Sequence, residues 1–170
     1  MGGVLVGEKV EVFLEICREG VVIPTYAKDG DAGMDVCAAE EISIAPGDTV
    51  IIPTGIKLAI PEGYEIQVRP RSGISYKTPL RISNSPGTID SGYRDELGII
   101  MTNTSDSQYS DQTFTIDSKG NCKGTYILRK GDRIAQIVLQ VVPKMKFTVV
   151  DSVKDIGSNR GGGFGSTGVR

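Results

Sequence analysis

A chain of 170 residues is long enough to bury about two-thirds of its unfolded surface in one domain, so it needs no disulfide or metal to fold. Its 19 Lys and Arg residues nearly balance its 21 Asp and Glu residues, and a formal charge of −2 argues against nucleic-acid binding. The chain contains no histidine, which excludes Ser-His-Asp triads, Cys-His pairs and His-ligated zinc. Acid–base chemistry is therefore left to carboxylates, lysines, tyrosines or a bound metal ion.

The cysteines and the hydropathy pattern indicate where the protein works. Cys17, Cys37 and Cys122 are an odd number without C-x-x-C spacing, which favours a reducing compartment. The first ten residues lack a basic signal-peptide region, and no 18-residue apolar segment occurs. We expect a soluble, cytoplasmic protein with no membrane partner.

The predicted elements are short apolar or alternating runs, broken by Gly, Pro and Asp about every 8–12 residues. Helix-length periodicity is hard to find. The pattern predicts an all-β fold, a β-sandwich or jelly-roll-like barrel, over residues 1–156. In chain order the main runs are 10–16, 49–61, 64–70, 96–103, 125–142 and 146–151.

Two segments depart from this pattern. Residues 104–124 begin with polar residues and continue with TFTID and a KGNCKG turn, which predict a hairpin-like surface insertion. Residues 157–170 contain six glycines, so we expect a flexible tail. This tail is either a frayed terminus or a lid that closes over a base and its phosphates, since Arg160 and Phe164 are embedded in it.

Four short clusters combine charged residues with turn residues. In RPRSG (69–73), an arginine can bind an anion in bidentate fashion where glycine lets the backbone approach. GTIDSGYR (87–94) places a carboxylate before a turn that returns with a tyrosine and an arginine. DAGMD (31–35) and GDRIAQ (131–136) add further charges. Each cluster alone is equally compatible with an ordinary charged turn.

In chain order, DAGMD, PRSG, GTIDSGYR, GDRIAQ and RGGGFGSTG resemble the five sequence motifs of the trimeric dUTP diphosphatases, the dUTPases, over residues 24–168. The resemblance implies the jelly-roll-like β-clip fold and a homotrimer with three active sites, each built from all three chains. It also implies hydrolysis of dUTP to dUMP and pyrophosphate. This reaction excludes uracil from DNA and supplies dUMP for dTTP synthesis.

The resemblance assigns the nucleoside to the third motif. Asp90 would be the general base that activates water for attack on the α-phosphorus, since aspartate is ionised at pH 7. The ring of Tyr93 would lie against the deoxyribose, so that a 2′-hydroxyl would collide with it. Uracil would be recognised by the hairpin at Asn84, Gly87, Thr88 and Ile89.

The resemblance assigns the phosphates to the other motifs. Arg71, Ser72, Gly73 and Gln136 would contact the triphosphate, and Asp35 and Arg133 would orient them without touching substrate. Mg²⁺ would be held by the phosphates and waters, without a direct protein ligand. In the tail, Arg160 would reach the γ-phosphate and Phe164 would stack on uracil. Further hydrogen bonds would come from Gly165, Ser166 and Thr167.

Two departures from the family motifs, and two alternatives, stay open. Asp95 stands where the family often has glycine, and the spacing from Arg160 to Phe164 is one residue shorter than expected. One alternative is a dCTP deaminase, or a bifunctional dCTP deaminase and dUTPase, of the same fold, with Glu96 as candidate glutamate. The other is a nucleotide-binding regulator that binds a protein partner through 104–124.

Overall fold

The computed structural model describes residues 9–162, and these residues are arranged mainly as short strands. The predicted all-β class is confirmed. The only α-helix in the described residues is α1 (Ser72–Lys77), and a 3₁₀ turn covers Ser107–Tyr109. The strands are β1 (Phe13–Ile16), β2 (Met34–Cys37), β3 (Ile42–Ile44), β4 (Thr49–Pro53), β5 (Ile56–Ala59), β6 (Tyr64–Arg69), β7 (Leu80–Ile82), β8 (Gly87–Ile89), β9 (Gly98–Asn103), β10 (Thr113–Thr115), β11 (Thr125–Leu128) and β12 (Arg133–Val141).

Four small sheets contain these strands, in the orders β1–β5, β10–β11–β3, β2–β12–β6–β8 and β4–β9–β7. Neighbours in a sheet are seldom neighbours in sequence, as expected of a jelly-roll-like fold. The longest strand, β12, pairs antiparallel with β2 on one side and with β6 on the other. It therefore organises the largest sheet.

The core lies between the sheets and is filled by branched aliphatic side chains. Alternation along β9 buries Ile99 and Met101 completely, while the residues between them face outward. Ile44, Ile52 and Leu128 are equally buried. Each such side chain contributes roughly 1.5–3 kcal/mol relative to an exposed position, so the core can hold the short strands together.

The predicted strand over 146–151 does not form, and this prediction was wrong for the isolated chain. Residues 142–150 have no regular secondary structure, and the side chains of Phe147 and Val149 are 83% and 97% exposed. The residues alternate as a strand should, but within the described chain no neighbouring strand pairs with them. Alternation in the sequence shows that a segment has an apolar face, but it does not show that a neighbouring strand is present to pair with it.

Helix α1 was not predicted, because six residues are too few for a helical period to be visible in a sequence. The helix ends at Thr78, whose N–H and side-chain hydroxyl both donate to the carbonyl of Ile74, at 3.0 and 2.8 Å. In the described residues, no helix has the length and hydropathy that a membrane span requires.

The insertion at 104–124 differs from the expected hairpin. Its strand β10 runs parallel to β11, with Thr113 opposite Thr125 and Thr115 opposite Ile127. The other edge of β11 is already paired with β3. The residues between β10 and β11 therefore cross back to the starting edge, which an antiparallel hairpin would not need.

Asn103 connects this insertion to the core. Its side chain is fully buried, and Nδ2 donates to the carbonyls of Ile44 and Gly124 at 2.9 and 2.7 Å. Its Oδ1 accepts the N–H of Ser105 at 3.0 Å. One amide therefore satisfies three buried backbone groups at the base of the insertion.

Replacing Asn103 by Ala should lower the free energy of unfolding by about 3 kcal/mol, because three buried backbone groups lose their partner. Urea denaturation at one fixed protein concentration measures the change. Asn121→Ala is the matched control, since Asn121 is an exposed residue of the same insertion. Equal midpoints for the two variants would contradict this role of Asn103.

Candidate active site

The register of the largest sheet brings three of the sequence motifs side by side. In β12, Gln136 lies opposite Asp35 of β2 and opposite Arg69 of β6. Directly paired residues point to the same face of a sheet. The first, second and fourth motifs therefore meet on one face, although up to 101 residues separate them in sequence.

Arg71 is held in place by a carboxylate. The chain is extended at Arg71, just before α1, and Nε donates to Asp35 Oδ1 at 2.7 Å while Nη2 donates to Oδ2 at 3.2 Å. Nη1 also donates to the carbonyl of Arg133 at 3.2 Å. The side chain of Arg133 reaches the same carboxylate at 3.4 Å. Two guanidinium groups on one carboxylate leave a net positive charge there.

Ser72 and Gly73 follow immediately and form the first turn of α1. Both are exposed, and no atom lies within 4 Å of the position that a Cβ at Gly73 would occupy. Space for a ligand is therefore open on the outer side of Gly73. Both residues adjoin Arg71 in the sequence.

Gln136 is fixed from two sides. Its Nε2 donates to the carbonyl of Pro70 at 2.8 Å, which ties β12 to the segment that carries Arg71. A Cβ at Gly33 would lie 2.9 Å from Gln136 Oε1, so a larger residue at position 33 would force this side chain to shift. Beside them lies a cavity of about 350 Å³ whose lining includes Asp35, Arg69 and Gln136.

The third motif lies on the edge strand β8. Gly87 is buried, and a Cβ there would lie 3.3 Å from the Asn84 side chain and from Val68 of β6. Asn84 and Thr88 are exposed, and Ile89 is partly buried. The four uracil-binding candidates thus form one short edge, with Gly87 enabling close packing against β6.

The chain turns after β8, and this turn carries Asp90 and Tyr93. The N–H of Tyr93 donates to the carbonyl of Asp90 at 3.1 Å, and its hydroxyl donates to the carbonyl of Glu96 at 2.9 Å. In residues 9–162, no hydrogen bond or ion pair engages the Asp90 carboxylate. Asp95 is exposed at the end of the turn.

Glu96 is already engaged in another interaction. Arg18 donates to its carboxylate from Nε at 2.7 Å and from Nη2 at 3.0 Å, and the N–H of Gly55 adds a bond of 2.8 Å. The bond to Arg18 lowers the pKa of Glu96; burial opposes this effect, and the Gly55 bond supports it. Sequence reasoning missed Arg18 because 78 residues separate it from Glu96 and no motif includes it.

Within one chain, Asp90 and Arg71 do not lie close together. Ile89 pairs with Ile66, so Asp90 continues toward the Tyr64 end of β6, whereas Arg71 follows the opposite end at Arg69. The three steps along the strand from Ile66 to Arg69 alone span about 10 Å. The turn that carries Asp90 and the arginine cluster, formed by Arg71 and Arg133, therefore lie toward opposite ends of β6.

The tail is described only in part. Arg160 is exposed and lies in a segment without regular secondary structure. The other tail residues predicted to bind substrate, Phe164, Gly165, Ser166 and Thr167, lie outside the described residues.

The described acidic side chains do not converge into a metal site. Across residues 9–162, no group of three or more His, Cys, Asp or Glu side chains could hold an ion. Asp35 has both oxygens engaged by Arg71. The nearby Cys37 is buried, and burial raises the pKa of its thiol, with the negative charge of Asp35 acting in the same direction. Cys37 therefore remains a neutral core residue.

Comparison with known proteins shows which family this chain resembles. The family model described as dUTPase matches residues 19–168. A deoxyuridine 5′-triphosphate nucleotidohydrolase of Desulfotalea psychrophila is 46% identical over 89% of this chain and 90% of its own length. The corresponding protein of a Picosynechococcus strain is 43% identical over 87% of this chain and 92% of its own.

Solved structures show the same similarity. A Staphylococcus bacteriophage 80alpha dUTPase variant, solved with dUpNHpp, is 28% identical, with a TM-score of 0.82 over 95% of this chain and all of that chain. The dUTPase from phage phi11 of Staphylococcus aureus is 29% identical, with a TM-score of 0.75 over 86% of this chain and 99% of that chain. The chain therefore belongs to the dUTPase family, and the prediction of an enzyme of the dUTP diphosphatase class is confirmed.

Proposed function

We propose that this chain hydrolyses dUTP to dUMP and pyrophosphate, in a homotrimer whose active sites are shared between chains. The observation that carries the proposal is the position of Asp90, whose exposed carboxylate has no partner within residues 9–162, toward the end of β6 opposite to Arg71. The proposed role in the cell is to keep uracil out of DNA and to supply dUMP for dTTP synthesis.

Asp90 acts as the general base. The oxygen of a water molecule forms a bond to the α-phosphorus, and its proton passes to the Asp90 carboxylate. The bond from the α-phosphorus to the bridging oxygen breaks, and pyrophosphate leaves. The exposed carboxylate supports this role, because an ion pair would compete with the water for its oxygens.

The arginine cluster binds the phosphates. Asp35 fixes the plane of the Arg71 guanidinium, which leaves Arg71 preorganised for an anion rather than free to rotate. Ser72, Gly73 and Gln136 lie on the adjoining backbone and complete the binding surface. Arg133 adds a second positive charge at the Asp35 carboxylate.

The donor set fits a magnesium ion that is carried by the triphosphate. Asp35 is engaged by arginine, and the described residues offer no acidic cluster, so phosphate oxygens and waters would be its ligands. When bound, Mg²⁺ would neutralise phosphate charge and make the phosphorus more electrophilic. The phi11 phage dUTPase has been described with a structural Mg(II) ion.

Surfaces that one chain leaves uncovered support the trimer. An apolar groove of about 430 Å³, lined by Val12, Leu14, Ile137 and neighbouring side chains, lies open beside β1 and β12. Phe147, in the segment that was expected as a strand, and the neighbouring Met145 are both exposed. A second copy that packs against these surfaces would bury both.

Strand β8 and the turn that follows it select the nucleoside. The ring of Tyr93 lies against the deoxyribose, so a ribose hydroxyl would collide with it. Asn84, Gly87, Thr88 and Ile89 present the edge that recognises uracil. The tail closes the site, with Arg160 on the γ-phosphate and Phe164 stacked on uracil, assisted by hydrogen bonds from Gly165, Ser166 and Thr167.

A dCTP deaminase is less well supported. That alternative needs a glutamate available for proton transfer, and Glu96 was the candidate. Its carboxylate accepts three hydrogen bonds from Arg18 and Gly55. A carboxylate committed to an arginine is poorly suited to act as a base.

Product analysis tests the reaction directly. The purified protein with Mg²⁺ should release dUMP and pyrophosphate from dUTP, and should leave dCTP, dTTP and UTP essentially unchanged. A uracil nucleotide formed from dCTP would support the deaminase. No turnover of dUTP by folded protein that still binds it would contradict the hydrolase and support a nucleotide-binding regulator.

Replacing Asp90 by Asn should lower kcat at least about a hundredfold, because asparagine cannot accept the proton of the attacking water. The affinity for dUTP, measured by calorimetry, should change little. Asp95→Asn is the matched control, since it makes the same change five residues further along the same turn. Equal kcat values for the two variants would exclude Asp90 as the base.

Mixing two inactive variants tests the shared site. Asp90→Asn and Arg71→Ala should each be nearly inactive alone, because each lacks one half of the site. Coexpressed chains should regain roughly a quarter of wild-type activity. In random assembly, about half of the sites receive an intact Asp90 from one chain, and about half of these receive an intact Arg71 from another. A mass near 18.2 kDa, the mass of one chain, or no gain on coexpression, would overturn the shared trimer site.

A further inference from the structure

The turn that carries Asp90 and Tyr93 has few connections to the rest of the domain. In the described part of the chain, residues 91–95 make hydrogen bonds mainly inside the turn itself, including two from Arg94 to the carbonyls of Ser91 and Tyr93. The exception is the Tyr93 hydroxyl, which donates to the carbonyl of Glu96. The orientation of the Tyr93 ring therefore depends on where Glu96 is held.

Glu96 is held by its side chain. Both carboxylate oxygens accept from Arg18, in the bidentate geometry that fixes an arginine and a carboxylate relative to each other, and the N–H of Gly55 adds a third bond. The Arg18 side chain is also tied to Glu40, at 2.9 Å. Three separate segments of the chain therefore meet at the Glu96 carboxylate.

The backbone reinforces this connection one residue further on. Leu97 donates its N–H to the carbonyl of Ile56 at 2.9 Å, and its own carbonyl accepts the hydroxyl of Thr54 at 2.6 Å. Gly55, which lies between Thr54 and Ile56, has a φ of +73°, and a Cβ there would collide with Val21. The turn between β4 and β5 is therefore shaped so that the N–H of Gly55 reaches the Glu96 carboxylate.

We propose that Glu96, clamped by Arg18 and Gly55, is a positioning residue that fixes the Tyr93 ring and thereby sets the preference for deoxyribose over ribose. The inference rests on the proposed contact of Tyr93 with the sugar. A ring rejects a 2′-hydroxyl by collision only if it cannot move aside, which requires its position to be held within about 0.5 Å. Glu96 itself touches neither the substrate nor the reacting atoms.

Releasing the clamp should affect discrimination more than chemistry. In Glu96→Ala, the carbonyl that accepts the Tyr93 hydroxyl is no longer anchored, so UTP should be admitted. The ratio of kcat/KM for dUTP to that for UTP should fall at least about tenfold, while kcat with dUTP should change less than about threefold. Arg18→Gln should lower the same ratio, because it removes the clamp from the other side.

Glu40→Gln is the matched control. It removes the other carboxylate bound to Arg18 and leaves the bonds between Arg18 and Glu96 in place. The ratio should then stay within about twofold of the wild-type value. A merely structural role for the cluster would lower thermal stability in all three variants and leave the ratio unchanged.

Tyr93→Phe provides an independent measurement, because it removes the hydroxyl and keeps the ring. The variant should lose discrimination to a similar degree as Glu96→Ala, and the double variant should lose little more, as expected of two residues that act through one hydrogen bond. Additive losses would overturn the proposed route through the Glu96 carbonyl. If Glu96→Ala does not fold, Arg18→Gln and Tyr93→Phe carry the same test.

The result separates this inference from the proposed function. A wild-type protein that hydrolyses dUTP and UTP equally well would contradict the role of Tyr93, and the inference would fail with it. A wild-type protein that discriminates, with unchanged ratios in both Arg18→Gln and Glu96→Ala, would overturn the positioning role of Glu96 alone.

Discussion

The pairing of β12 with both β2 and β6 is the constraint on which the candidate site depends. Because β12 is paired on both sides, its register fixes which residues lie beside Gln136, and these are Asp35 and Arg69. A shift of one residue would send Gln136 to the opposite face of the sheet. The ion pair between Asp35 and Arg71, and the bond from Gln136 to the Pro70 carbonyl, are consequences of that register.

Much of the fold could be predicted from the sequence, because the buried strands carry their own pattern. Alternation in β9 marks Ile99 and Met101 as core residues, and both are fully buried. The segment 146–151 shows the limit of the method. Its alternation is equally good, but a strand also needs a neighbour, and the described chain supplies none. Strand formation is therefore a property of the pair, not of the segment.

The site residues also divide into those that could be predicted from the sequence and those that could not. Asp35, Arg71 and Gln136 could be predicted because each belongs to a short motif, and the structure brings these three together. Arg18 could not, because it is an isolated arginine whose partner is 78 residues away. An ion pair between distant residues leaves no local pattern, so only the folded chain reveals that Glu96 is clamped rather than available as a base.

The antiparallel pairing of β6 and β8 also explains why the second and third motifs lie apart within one chain. The second and third motifs are only 13 residues apart, between Gly73 and Gly87, which suggests a common site. However, β8 runs antiparallel to β6, so the chain carries Asp90 away from the end where Arg71 lies. Within one chain, the β6–β8 pairing therefore holds Asp90 and Arg71 toward opposite ends of β6. In the homotrimer proposed above, each chain can contribute one end of β6 to a different site, which leaves this pairing intact.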